Sequence, residues 1–347
     1  MGTSARARGR RDAQHYLAEP GRLRELPLSR WSEGPAVLRM IRAAALIMPS
    51  AAWLAAVVGR VARARGRAGI AARADDIAYW AGVRDTLCRD EWFRLRGAGV
   101  PILLYHRVPP HPDRLDPKYA LSQGRFAAQV RLLVRLGYRS IPLGLLAELH
   151  RAGLPPPPRS VVFTFDDGYA DNHVAAAILR RWGFVATIFL VTGDVGGPAR
   201  WRVAEIGQVP LLTWREVREL ARAGVEFGAH SITHPRLAEM PAEEAEREIV
   251  ASGEALQREC GPGELLFAYP HGSATPETRR LASQSGYLAA CGTTRGLSSL
   301  HDDPWSLRRI QIYGDERLSA FCLRLLLGDN PLDYLPWGRL GRWGGPR

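Results

Sequence analysis

From Val100 onward the sequence alternates short apolar runs with amphipathic stretches, and this rhythm restricts the fold more than any other feature of the chain. The runs are Ile102 to Tyr105, Tyr138 to Pro142, Val161 to Phe165, Val185 to Val191, Val225 to Ala229, Leu265 to Tyr269 and Leu288 to Thr293. Their length and their β-branched or aromatic content suit strands buried in a parallel sheet covered by helices. Between them Phe126, Val130, Leu133 and Leu136 recur at helical spacing, Thr213 with Glu216 forms a capping box ahead of Val217 and Leu220, and Pro241 sits where a first helical turn tolerates it. Seven strands with helices between them predict an α/β fold, a distorted (β/α)7-type barrel. The four prolines at 155–158 form a stiff connector into the third strand.

The part ahead of the barrel has a different character. Residues 1–35 are polar and basic without the apolar stretch of a secretory leader; they are expected to be flexible, and the expected location is the cytoplasm. Residues 36–99 read as a helical extension, basic and apolar. Within it residues 43–59 carry no charge, with Arg39 and Arg42 before them and Arg60, Arg63, Arg65 and Arg67 after them. Seventeen residues interrupted by Pro49 are at the short limit for a bilayer span, whereas arginines on both sides suit anionic head groups. Three placements follow: a span, peripheral membrane contact through residues 36–67, and a helix packed on the main domain. Residues 100–314 are expected to form the barrel domain and residues 315–347 a C-terminal tail.

With 347 residues, 46% hydrophobic and 24% charged, the chain can bury one large core and is not a disordered protein. Lysine plus arginine outnumber the acids by 47 − 35 = 12, and Lys118 is the only lysine. The basic balance is therefore an arginine excess. It lacks the interleaved aromatic residues of single-strand binders, and no nucleic-acid partner is expected. Cys88, Cys260, Cys291 and Cys322 show no CxxC pairing, which speaks against a cysteine-ligated zinc or a disulfide framework and suggests buried small hydrophobes.

In an α/β barrel the reacting groups gather at the C-terminal ends of the strands. The run ending at Phe165 is followed by Asp166-Asp167-Gly168, the run ending at Ala229 by His230-Ser231-Ile232-Thr233-His234-Pro235, and Ala268 by Tyr269-Pro270-His271-Gly272. Two histidines four residues apart can face one way, and with a carboxylate from another strand they make a two-histidine, one-carboxylate face with open metal positions. Each motif alone is weak, since Asp-Gly is a common turn. Together, at the ends of strands two apart, they point to a catalytic metal.

TFDDGY at 164–169, HSITHP at 230–235 and FAYPHG at 267–272, preceded by LLYHRV at 103–108, resemble the polysaccharide deacetylase family, the NodB-like carbohydrate esterases, in the branch with YPYG-type third motifs. The similarity runs from about Pro101 to Ile312. It implies a distorted (β/α) barrel, a divalent metal, usually Zn2+, and hydrolysis of an N-acetyl group from an amino sugar. It implies further that Asp167, His230 and His234 bind the metal, that Asp166 is the catalytic base, and that a backbone N–H at the position matching His271 holds the oxyanion. The division is chemically coherent: a metal lowers the pKa of its water from about 15.7 toward about 7, and a neighbouring carboxylate can take the remaining proton.

The sequence also departs from the family. Ala268 stands where an arginine usually orients the base, His271 replaces an aromatic residue, and SLRRIQIY at 306–313 lacks the histidine that normally serves as general acid. Two expectations fill the gaps: His106 or His271 protonates the departing amine, and Arg309 takes the missing arginine's place beside Asp166. Tyr169, Tyr269 and Trp214 are rings that could stack on a sugar, although residues of this kind more often belong to the core, and Tyr169 and Asn172 are candidates to line the groove. Deformylation or the opening of cyclic amides on the same fold remains an alternative. So does a non-catalytic sugar-binding protein at a membrane, although the intact Asp166, Asp167, His230 and His234 argue against it.

Overall fold

The computed structural model describes residues 4–19, 25–28, 42, 51–87, 91, 99–113, 116–201, 209–314 and 316–329. The chain divides into two compact units.

The smaller unit comprises Met1–Gly99, Ala152–Pro158 and Ser299–His301. Its described helices are α1 (Ala5–Ala18), α2 (Ala51–Ala64) and α3 (Ala68–Arg84). Ser4 caps α1, its hydroxyl accepting from the Ala7 N–H. Ala13 and Tyr16 of α1 pack with Leu28, Trp80, Val83, Leu87 and Leu300 in a small core. At one end of the unit the Asp85 carboxylate accepts from Arg6, Arg10 and Arg84. The N-terminal segment, expected to be polar and flexible, thus carries a helix anchored by Ala13 and Tyr16. Of residues 43–59, only 51–59 fall among the described residues, where they belong to α2. No helix of the described residues is long and apolar enough to cross a membrane.

The larger unit comprises Val100–Arg151, Arg159–Ser298 and Asp302–Arg347. Its strands are β1 (Ile102–Tyr105), β2 (Arg139–Ser140), β3 (Ser160–Phe165), β4 (Thr187–Leu190), β5 (Glu226–Ala229), β6 (Leu265–Ala268), β7 (Tyr287–Arg295) and β8 (Leu307–Gln311). The order β1-β8-β7-β6-β5-β4-β3 closes on itself because β3 also pairs with β1, Leu104 opposite Thr164. All seven pairings are parallel, giving a closed seven-stranded barrel with helices around it.

The membership of the ring differs from the sequence expectation. The run at Tyr138–Pro142 supplies only β2, which pairs with the first two residues of β3, Ser160 and Val161, and lies outside the ring, and β8 closes the barrel instead. The reason is physical: β8 reads Leu-Arg-Arg-Ile-Gln and so is no apolar run, yet the charge of Arg309 is buried inside the barrel against a carboxylate.

Alternation along the strands separates two cores. Ile102, Val162, Phe189, Leu266, Ala268, Cys291 and Leu307 meet inside the barrel, joined by Leu143, Leu146 and Ala147 of the helix Leu143–Ala152. Their sequence neighbours Leu103, Phe163, Ile188, Phe267 and Ile310 point outward into the layer beneath the helices. Gly228 shows how tightly the interior is filled, since a Cβ there would stand 2.6 Å from the Phe189 ring. The Thr213–Glu216 capping box opens the helix Trp214–Arg222, and Pro241 precedes the helix Ala242–Cys260. The expected tail contributes the helix Leu318–Leu327, whose Phe321 and Leu325 enter the outer core. Of the described cysteines only Cys291 is buried, while Cys260 is exposed and Cys322 intermediate.

Candidate metal centre

The C-terminal ends of β3 and β5 bring Asp167, His230 and His234 together. Alternation along β3 carries Val162, Thr164 and then Asp166 to the barrel interior, and Asp167 follows with a left-handed backbone, φ 75°. Gly168 continues the turn at φ 72°, where a Cβ would collide with the Leu190 side chain at 2.6 Å. Ser231, His234 and His271 are left-handed too, so four of the five described non-glycine residues with positive φ surround this one place. Each such conformation costs on the order of 1–3 kcal/mol and persists where the surroundings enforce it, most often at functional sites.

Asp167 Oδ1 lies 3.5 Å from His230 Nε2 and 3.2 Å from His234 Nε2. The three donor atoms fall within 4.8 Å of one another, and all three side chains are buried. His230 Nδ1 is 2.7 Å from the Ala268 carbonyl; that bond needs a hydrogen on Nδ1 and leaves the Nε2 lone pair free for a cation. Asp167 Oδ1 is buried without a hydrogen bond, an arrangement that is expensive unless a cation completes it. Two imidazole nitrogens and one carboxylate oxygen suit zinc or a similar divalent ion, so the residues present fit the group that the sequence implies. Burial raises the Asp167 carboxyl pKa, but the two imidazoles outweigh it and hold the group well below the usual range.

The histidine pair is held in place from behind. Glu248, on the helix Ala242–Cys260, accepts from the backbone N–H groups of Ile232 and Thr233 at 2.7 and 2.9 Å and from the Thr233 hydroxyl at 2.7 Å. The Ser231 hydroxyl accepts from the His234 N–H at 3.0 Å. The Trp201 ring stacks on His234, centroids 4.7 Å apart and planes at 25°.

Asp166 is buried beside this triad and meets Arg309 in a two-point ion pair, Nη1–Oδ1 2.7 Å and Nη2–Oδ2 2.8 Å. Arg309 is itself fixed through Nε–H to the Gly292 carbonyl at 2.8 Å and lies over the Phe189 ring. Burial raises the Asp166 pKa, yet the Arg309 guanidinium more than offsets it and holds the carboxyl below its ordinary value.

His106 follows β1 and is half-buried; its ring lies 4.5 Å from that of Tyr119, and its Nδ1 is buried without a hydrogen bond. Burial pushes its pKa down although Asp167 and Asp166 pull it up. His271 is exposed in the turn after β6, its ring 4.5 Å from His234. Partial burial and the neighbouring His234 push its pKa down to about 4.

All three aromatic candidates pack in or against the core. Tyr169 and Tyr269 are fully buried, the first packed with Ala199 and Leu211 and the second turned outward with its hydroxyl on the Trp305 carbonyl, so neither ring can meet a sugar. Trp214 packs against the outer core. Asn172 is also buried, its amide donating to the His106 carbonyl at 2.7 Å instead of lining a groove. Sequence reasoning passed over Trp201 and Glu248, which no motif marks.

Comparison with known proteins supplies a context for this geometry. Residues 153–290 match the family described as polysaccharide deacetylase. The Bacillus subtilis (strain 168) protein YxkH, which carries the polysaccharide deacetylase description in its name, is 26% identical over 225 residues, 65% of this chain and 75% of YxkH. The poly-beta-1,6-N-acetyl-D-glucosamine N-deacetylase of Escherichia coli (strain K12) is 34% identical over 140 residues, 38% of this chain and 20% of that protein. Among solved structures, the Streptococcus pyogenes deacetylase PplD in complex with acetate shares the fold with a TM-score of 0.58 at 23% identity, covering 65% of this chain and 98% of that one.

Proposed function

This chain belongs to the polysaccharide deacetylase family, and from that premise we propose that it is a divalent-metal-dependent hydrolase that removes the N-acetyl group from an amino sugar of a polysaccharide, glycolipid or sugar precursor. The observation that carries the proposal is the convergence of Asp167, His230 and His234 within 4.8 Å, with an ionised Asp166 beside them.

Asp167, His230 and His234 would hold the cation, Zn2+ in this reading. Such an ion supplies Lewis acidity at a neutral pH, acidifying a water and polarising a carbonyl oxygen. Asp166 takes the proton of the attacking water, a contribution typically worth 100- to 10,000-fold. Arg309 keeps that carboxylate charged and aims it through two parallel hydrogen bonds. The backbone N–H of His271 would donate to the developing oxyanion, its left-handed turn fixed by the Gly272 N–H on the Tyr269 carbonyl and the Ser273 N–H on the Pro270 carbonyl. His106 or His271, each a neutral imidazole at rest because its pKa is pushed down, would pass to the departing amine the proton that Asp166 takes from the water.

Acetate release from β-1,6-linked and β-1,4-linked N-acetylglucosamine oligomers and from N-acetylated sugar precursors tests the proposal, with N-formyl substrates run alongside. The expected result is acetate release that stops with a chelator and falls at least about 100-fold in Asp166→Asn. Formate release without acetate would instead make the protein a deformylase, and sugar binding without release of either acid would make it a binding protein. His106→Ala and His271→Ala distinguish the two proton donors by which of them lowers kcat.

A further inference from the structure

Helix α2 is built inside out. Among its described side chains those that are buried are all small, Ala55, Gly59 and Ala62; Gly59 lies so close to α3 that a Cβ on it would be 3.1 Å from the Ala74 side chain. The large apolar residues point to solvent: Trp53 is 69% exposed, Val58 43% and Val61 45%, and Ile70 on the next helix is 40% exposed. A helix of a water-soluble surface has the opposite polarity, with its large apolar residues inward. Neighbouring exposed apolar residues of this kind mark an interaction surface.

Charge says what the surface meets. Residues 51–74 contain five arginines, at 60, 63, 65, 67 and 73, and no acidic residue. All five arginines are exposed. The first acid after them, Asp75, pairs with Arg63 at 3.0 Å, leaving a strong positive excess around the apolar residues. Indole, valine and isoleucine side chains flanked by arginines match the boundary between acyl chains and anionic head groups, where the apolar groups leave water while the guanidinium groups reach phosphates. A nucleic acid would meet the arginines but leave the apolar residues in water, and a second copy of this face would add arginines without any balancing acid.

We propose that the outer face of α2, with Ile70 of α3, docks on an anionic phospholipid surface. The proposal places α2 on the surface rather than across it: its 14 described residues span about 21 Å, short of the roughly 30 Å of a bilayer core. The proposal is independent of the hydrolytic reading, since it uses no residue of the metal centre.

The test is flotation of the full-length protein with vesicles of phosphatidylcholine alone and of phosphatidylcholine with 30% phosphatidylglycerol, a composition set by the experimenter at about the anionic content that distinguishes charge-dependent docking. The expected result is binding to the anionic vesicles only, weakened by salt, and reduced at least about tenfold both in Arg65→Glu/Arg67→Glu and in Val58→Asp/Val61→Asp. Quenching of tryptophan fluorescence by brominated lipid should be lost in Trp53→Phe. Circular dichroism and acetate release from a soluble substrate should be unchanged in all three variants. The proposal is overturned by absence of binding to anionic vesicles, by binding that survives the valine changes, or by concentration-dependent dimerisation that these changes abolish. Should the valine variant not fold, the exposed-arginine variant and the Trp53→Phe quenching each decide the matter alone.

Discussion

Arg309 and Asp166 stand 143 positions apart in the sequence and meet inside the barrel through two hydrogen bonds of 2.7 and 2.8 Å. The pair does structural and chemical work at once: it neutralises a charge that β8 carries into the interior, and it fixes a carboxylate beside Asp167.

Removing one member should therefore damage both. Arg309→Met leaves a buried carboxylate uncompensated and should cost about 3–5 kcal/mol of stability. Arg309→Lys keeps the charge but not the planar fork; it should lose less stability, while kcat for acetate release falls at least about tenfold. Urea unfolding together with steady-state kinetics checks this, and a fully stable Arg309→Met would refute the description of the pair.

Glu248 holds the segment between the two histidines through three hydrogen bonds, two of them from backbone N–H groups. Outer partners of metal ligands commonly contribute 10- to 100-fold in metal affinity. Glu248→Ala should weaken zinc binding by about that factor with little change in the far-ultraviolet circular dichroism, and Glu248→Gln should recover part of the loss. Titration with a competing chelator measures both, and equal affinity in all three proteins would remove Glu248 from the site.

Overpacking the barrel should be costly in a predictable place. A Cβ at Gly228 would press on the Phe189 ring and stand 2.8 Å from the Leu266 carbonyl, so Gly228→Ala should destabilise by about 1–3 kcal/mol. Gly263 has open space around its Cβ position, and Gly263→Ala should fall within about 0.5 kcal/mol of wild type. The two denaturation midpoints compared side by side give the answer.

Glu226 gives stability a pH dependence of definite sign. Burial pushes its carboxyl above the ordinary value, by more than the hydrogen bonds from Thr187 and Gly144 pull it down. The folded chain then keeps this proton at a pH where the unfolded chain has released it. The contribution of this group is fully present below the unfolded value of about 4.3 and declines as pH rises through the folded value. Glu226→Gln should remove this decline, so its stability relative to wild type improves from pH 4 to pH 7. Parallel stability curves for the two proteins would contradict the assignment.

Much of this architecture is legible in the sequence because burial and period coincide there. Six of the seven ring strands are apolar runs, and the chemistry-bearing residues stand directly after three of them. Strand β8 escaped because its inward residue is a charged one, compensated only by a partner on another strand, and pairing at that separation leaves no local pattern. The aromatic candidates fall to the core for a related reason: alternation sends Tyr269 outward once Ala268 faces inward, and adjacency to a motif says nothing about side. Trp201 and Glu248 reach the site from a loop and a helix; the helical period marks the buried face of that helix at Ala245, Ile249, Ser252 and Leu256 but not the turn of Glu248 toward the histidine segment, so only tertiary packing reveals the two. In the first unit the spacing of Ala55, Gly59 and Ala62 is visible in the sequence, but which side of α2 they face emerges only from their contact with α3.

The most direct test of the account is the metal content of the purified full-length protein after incubation with zinc and removal of the excess. It predicts about one tightly held equivalent per chain, retained in Asp166→Asn and lost in Asp167→Ala, His230→Ala and His234→Ala. A wild-type protein that emerges without metal, or a His230→Ala protein that holds as much as wild type, would contradict it.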